Sequence, residues 1–209
     1  MMRPPERLPE RDAAVMAMLQ HVAFDGWTKR ALRHGLADIG QPVDDAELLF
    51  PGGAIDMVTC FCDVADRRME REAAGIDMTG LRVPKRVRAI IALRLEQSRP
   101  DKEAIRRALS VLALRGQTAA AGCTARTVDA IWHAAGDTSA DFSWYTKRAI
   151  LASVYSSTLL FWLRDSSEDD AETLAFLDRR LAGVGRIGKL RRRAEGLLER
   201  FVPGRFRAA

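Results

Sequence analysis

Apolar residues recur at helical spacing along almost the whole chain, and short clusters of Gly, Pro and acidic residues mark the breaks between these runs. The first run starts at Arg11 and puts Val15, Met18, Leu19 and Val22 on one face, ending near Asp25-Gly26. Thr28 is placed to cap a second helix carrying Ala31, Leu32, Leu36 and Ile39, which stops at Gly40. Asp44-Asp45 read as the cap of a short third helix, broken at Phe50-Pro51-Gly52-Gly53. A longer helix follows to near Ala74, with Ile55, Val58, Phe61, Cys62, Ala65 and Met69 as its stripe. Pro84 stands at a favoured first-turn position for the next, with Val87, Ile90, Ile91 and Leu95 inward. Asp101 then caps a helix bearing Ile105, Leu109 and Leu112, up to Gly116, and Gln117 to Ala135 is a further one that carries Trp132. Ser166-Ser167-Glu168-Asp169-Asp170 is a negatively charged start signal ahead of Leu174, Leu177 and Leu181. A last helix spans residues 186–202, before Pro203-Gly204. No alternating strand pattern and no repeat occurs, so the pattern predicts an all-α fold of about ten helices.

One stretch departs from this amphipathic habit. Between Gly136 and Asp165 the chain opens polar, passes Trp144-Tyr145 and Lys147-Arg148, then runs from Ala149 to Leu163 without a charge. Asp137 and Asp141 are good residues to start a helix there, because a short carboxylate accepts from first-turn N–H groups. A helix apolar on nearly every side has to be covered on nearly every side, which makes this one central to the domain. It can line the core, pair with a second subunit, or wall a cavity for an apolar ligand. The uncharged run is shorter than the roughly 20 residues of a bilayer crossing. It is also diluted by Ser153, Ser156, Ser157 and Thr158. As a pocket wall it offers Leu151, Val154, Tyr155, Thr158, Leu159 and Trp162; the competing reading packs the same residues into the core or a dimer interface. Trp144 and Tyr145 are neighbours, so they point about 100° apart on a helix and cannot both enter one core. With Arg148 one turn from Trp144, they have the composition of an interface hot spot.

The chain of 209 residues suits one domain, and its three cysteines, an odd number without ligand spacing, suit a reducing compartment. The leading MMRPPERLPERD has no apolar core for a signal peptide and mixes acids with its arginines, which makes the cytoplasm the expected location. Residues 1–10 read as a flexible tail, 11–183 as the main domain and 203–209 as a closing tail. The net charge of +5 is uneven: from Arg179 onward ten Lys or Arg face two Glu, so the first 178 residues sum to −3. Those charges flank an apolar stripe of Ile187, Leu190, Ala194, Leu197, Leu198, Phe201 and Val202. A helix with such a stripe beside Arg186, Lys189, Arg191, Arg192, Arg193 and Arg200 fits an anionic membrane surface. Packing on its own domain and binding to nucleic acid are the alternatives.

Enzyme chemistry finds no purchase. His21, His34 and His133 stand alone, Cys60-x-Cys62 lies on an apolar face, and no nucleophile elbow or phosphate loop occurs. No metal ligands, catalytic residues or cofactor are expected. Gly183-Val-Gly185-Arg-Ile-Gly188 copies the dinucleotide pattern, but a leucine-rich helix precedes it and no acidic ribose partner can follow.

Two resemblances complete the reading. Two short helices and a glycine-rich joint ahead of a long helix resemble the helix-turn-helix head of TetR-type regulators. The third helix, DDAELLF, offers three carboxylates and no cation, which opposes groove binding. The string GDTSADFSWYTKR, its apolar helix and the following Arg164-Asp165-Ser166-Ser167 resemble the signature of ubiquinone-biosynthesis accessory proteins of TetR-like fold, with Ser143 where that family usually has Asn. This resemblance implies a non-enzymatic, homodimeric lipid-binding protein with a degenerate head. Its ligand would be an isoprenoid quinone or another lipid. It assigns Asp137, Ser139, Asp141, Trp144, Tyr145 and Arg148 to docking the demethoxyubiquinone hydroxylase. It also implies membrane attachment, peripheral on the inner face, through a C-terminal amphipathic helix; Arg186, Ile187, Lys189, Leu190, Arg193, Leu197, Leu198 and Phe201 are the residues placed for it. A TetR-type regulator with a hydrophobic pocket is the alternative.

Overall fold

The computed structural model describes residues 5–136 and 143–183. Within them every regular element is helical: α1 (Pro9–Asp25), α2 (Lys29–Asp38), α3 (Ala46–Leu49), α4 (Gly53–Ala73), α5 (Val83–Ser98), α6 (Lys102–Arg115), α7 (Gln117–Ala134) and α8 (Ser143–Trp162). Residues 171–183 form a further helix, α9. Single 3-10 turns precede α3, α6 and α9. No strand occurs among the described residues, and no single described helix is long and apolar enough to cross a membrane.

The head is α1 packed on α2. Val15, Met18, Leu19 and Val22 are all buried against Ala31, Leu32 and Leu36. Gly35 allows the close crossing, since a Cβ there would lie 2.6 Å from the Met18 backbone nitrogen. Thr28 caps α2 as expected, its hydroxyl accepting from Ala31 N at 3.3 Å. Arg11 ties the head to the body: it donates to Leu49 O at 2.6 Å and to Asp56 at 2.5 Å and lies over the Phe50 ring. Trp27 adds a bond from Nε1 to Ala104 O of α6 at 2.9 Å.

Several local expectations are corrected. The first helix starts at Pro9, two residues ahead of Arg11, because proline suits the first helical turn. Arg7 is also held, by Asp63 at 2.8 Å. Neither Asp45 nor Asp101 makes a capping bond, and Val43–Asp45 is itself a 3-10 turn. Nor is α8 central. It packs against α7 and α5 along one side and leaves Leu160 57 % exposed on the other.

Ahead of α9 the organising carboxylate is Asp165 rather than the run after it. Its Oδ1 accepts from Ser167 N at 2.8 Å and Ser167 Oγ at 2.6 Å, and its Oδ2 from Thr173 N at 2.8 Å and Thr173 Oγ1 at 2.5 Å. Burial works against the charge, but these bonds outweigh it and hold the Asp165 carboxyl well below the usual carboxylate range. Asp169 and Asp170, at φ 52° and 56°, take the left-handed turn that Asp tolerates, with Arg99 bonded to both side chains. Asp165→Ala leaves the buried Thr173 N–H without its partner, and we expect a loss of about 2 kcal/mol. The native pKa is depressed, so the stabilisation is present above the ordinary value of about 3.9 and fades as pH falls toward the folded value. Urea unfolding of wild type and variant at neutral and acidic pH checks this: the gap should narrow in acid.

Candidate functional site

A groove lies where α5, α7, α8 and α9 meet. Val83, Pro84 and Val87 form one wall, Trp132 of α7 a second, Lys147, Ile150, Leu151 and Val154 of α8 a third, and Leu181 of α9 closes the end. The four α8 positions follow i, i+3, i+4, i+7, which is one stripe of a helix. Ion pairs tie the walls to one another. Arg88 grips Asp178 two-pronged at 2.7 and 3.1 Å, docking α9 on α5 one turn from Leu181. Arg148 pairs with Asp129, tying α8 to α7 one turn from Trp132. The enclosed space is about 250 Å³, and of its nine lining residues only Lys147 is charged. Trp132 Nε1 is buried with no acceptor among the described residues.

The six residues read from the sequence as a pocket wall separate along α8. Leu151 and Val154 line the groove. Tyr155, Thr158 and Trp162 are buried in the body of the domain, with Thr158 Oγ1 returned to Val154 O at 2.7 Å, and Leu159 is half-buried against the core. Val83, Pro84, Val87, Trp132, Lys147, Ile150 and Leu181 were not singled out as pocket residues. Only Trp132 gave a signal, a large aromatic one turn ahead of the signature; the rest depend on which helices become neighbours.

Of the residues assigned to docking, Asp137, Ser139 and Asp141 lie outside the described residues. Trp144 falls in the first turn of α8, and Tyr145 beside it is 74 % exposed. Arg148 points toward α7 through Asp129. The membrane set from Arg186 to Phe201 lies outside the described residues, as does most of the glycine pattern at 183–188.

Between α4, α5 and α7 is a buried polar cluster. Asp66 of α4 accepts from Thr127 Oγ1 of α7 at 2.9 and 3.0 Å and from Arg94 Nε of α5 at 3.4 Å, while Arg94 Nη1 donates to Ser98 Oγ at 2.6 Å. Burial pushes Asp66 up to about 6 against the opposing pull of Arg94 and Thr127, and pushes the Tyr155 phenol up to about 12. No group of three or more His, Cys, Asp or Glu able to hold a metal is found among the described residues. In the head, the cations Lys29 and Arg33 are both taken by Glu47 of α3.

Comparisons with known proteins follow the same outline. A family model described as COQ9 matches residues 117–188, the part that holds α7, the signature and α8. The mitochondrial ubiquinone biosynthesis protein COQ9 of Rattus norvegicus is 31 % identical over 201 residues, covering 92 % of this chain and 64 % of the relative. The Homo sapiens protein is 30 % identical, covering 92 % and 63 %. The chain thus spans just under two thirds of these two proteins. The COQ9-B protein of Xenopus laevis is 30 % identical over 212 residues, covering 98 % of this chain and 71 % of its own length. Among solved structures, the TetR transcriptional regulator from Nitrosomonas europaea superposes with a TM-score of 0.66 at 24 % identity, over 84 % of this chain and 97 % of that one. The TetR-like fold read from the head and the family read from the signature therefore meet in one assignment: the chain belongs to the COQ9 family of ubiquinone biosynthesis proteins.

Proposed function

We propose that this chain is a non-enzymatic lipid carrier of ubiquinone biosynthesis, which takes an isoprenoid quinone intermediate from the membrane and presents it to the demethoxyubiquinone hydroxylase. The observation that carries the reading is the groove, apolar on every wall except at Lys147. A prenyl tail needs such a lining, and an oxygen on the ring head would satisfy the N–H of Trp132. At about 250 Å³ the groove is smaller than the ~300–1,000 Å³ usual for drug-sized ligands. It holds the part of a long tail nearest the ring. Residues 186–202 supply the membrane contact, on the inner face of the membrane, and Trp144 and Tyr145 the surface for the hydroxylase. The apolar outer face of α8, continued by the stacked Phe161 and Phe176 rings at 4.6 Å, suits a second copy of the chain.

A TetR-type regulator is the competing reading, and the head weighs against it. Its third helix is a single turn whose Glu47 already neutralises the nearest cations, so phosphate contacts have little to draw on. Mass spectrometry of lipids extracted from the folded, purified chain is the test. An isoprenoid quinone or its precursor, at a sizeable fraction of one per chain, is expected; a chain that carries none, and takes none up from quinone-loaded vesicles, rejects the reading.

A further inference from the structure

Two thiols face each other between α4 and α7 with no part in the lipid site. The two helices run parallel: Asp66 meets Thr127 at 2.9 Å, and further along Glu70 meets His133 at 3.0 Å. One turn back from the first of these pairs stand Cys62 on α4 and Cys123 on α7, so the register sets them opposite each other. Each of these thiols is the foremost influence on the other, as that register requires. Arg126 Nη2 lies 3.3 Å from the Cys123 sulfur. The same arginine lines, with Asp66, Arg67 and Asp129, a cleft of about 240 Å³ open to the surface.

We propose that Cys62 and Cys123 are a redox-modification site, closed by hydrogen peroxide into a disulfide that staples α4 to α7. Cys62 leads the effects on Cys123, and with Arg126 it outweighs burial and brings this thiol down to about 7. Cys62 is held high by Cys123 and by burial. Roles follow from that difference. The Cys123 thiolate attacks one peroxide oxygen; an S–O bond forms, the O–O bond breaks, and the departing hydroxide takes a proton to leave as water. The Cys62 sulfur then attacks the Cys123 sulfenic acid. An S–S bond forms, the S–O bond breaks, and the second hydroxide carries off the Cys62 proton as water. Two electrons pass from the two thiols to the peroxide. Cys60 is left out: it lies about 200° round the helix from Cys62. Burial foremost raises its thiol to about 11.

The full-length wild-type chain, treated with hydrogen peroxide, alkylated and digested without reductant, decides the matter by mass spectrometry. A Cys62–Cys123 peptide pair is expected, with Cys60 alkylated, a raised melting temperature, and full reversal by dithiothreitol. Arg126→Gln should form the same pair several-fold more slowly and with a higher pH midpoint. A disulfide involving Cys60, a link between two chains, sulfinic acid on Cys123 beside a free Cys62, or three unmodified thiols would each overturn the proposal. None of these outcomes bears on the lipid groove.

Discussion

Asp66→Ala should cost the fold about 3–5 kcal/mol. The change leaves Arg94, itself buried, as an uncompensated charge between α4, α5 and α7, and strands the Thr127 hydroxyl. Most of that cost is the penalty on the remaining partner rather than the worth of the pair. The double variant Asp66→Leu with Arg94→Met should therefore recover most of it, because apolar residues of similar volume often replace a buried ion pair at little loss. Its pH sense is opposite to that of Asp165. Burial raises Asp66 to about 6. The stability this group contributes is then present in full below the unfolded value of about 3.9 and lost as pH rises through the folded one. Urea unfolding should show the wild type losing stability between those two values, and Asp66→Asn levelling that slope.

The second large effect falls on the groove. Val154→Trp puts a ring into the space between α8 and α5, and the extra volume enters an open groove rather than the packed body. Stability should change by no more than the roughly 1–3 kcal/mol of an overpacked site. Affinity for a short-chain ubiquinone should fall at least tenfold, about 1.4 kcal/mol of binding free energy. A titration following tryptophan fluorescence quenching reads the change, with Leu160→Trp on the exposed outer face of α8 as the variant that leaves affinity unaltered.

The sequence showed the helices because each announces itself locally. Val15, Met18, Leu19 and Val22 on α1, and Val87, Ile90, Ile91 and Leu95 on α5, are buried where their spacing puts them. Thr28, Pro84 and Gly116 mark ends by chemistry that acts within one turn. What the periodicity could not carry is which helices touch. Arg94 lies 28 positions from Asp66 and Thr127 lies 61 positions from it, so the buried cluster had no local trace. The groove has the same character: Leu151 and Val154 were legible on α8, but Val83, Pro84 and Leu181 join them only because Arg88 and Asp178 bring α5 and α9 together. Reading α8 as buried all round failed for a related reason. An uncharged helix states that its faces will be covered and leaves open whether its own chain does the covering. Its outer face, with Ala149, Ser153 and Leu160, is exposed among the described residues.

The groove as the seat of an isoprenoid is the claim on which the proposed function stands, and photoaffinity labelling addresses it most directly. A farnesyl quinone analogue with a benzophenone at the tail end would be irradiated with the full-length chain, wild type and Val154→Trp, and the labelled peptides sequenced. The account predicts label on α5, α7 and α8 peptides containing Val87, Trp132 or Leu151, competed away by ubiquinone and absent from Val154→Trp. Label spread over the outer face of α8 or the head, equal in the two proteins and indifferent to competitor, would contradict it.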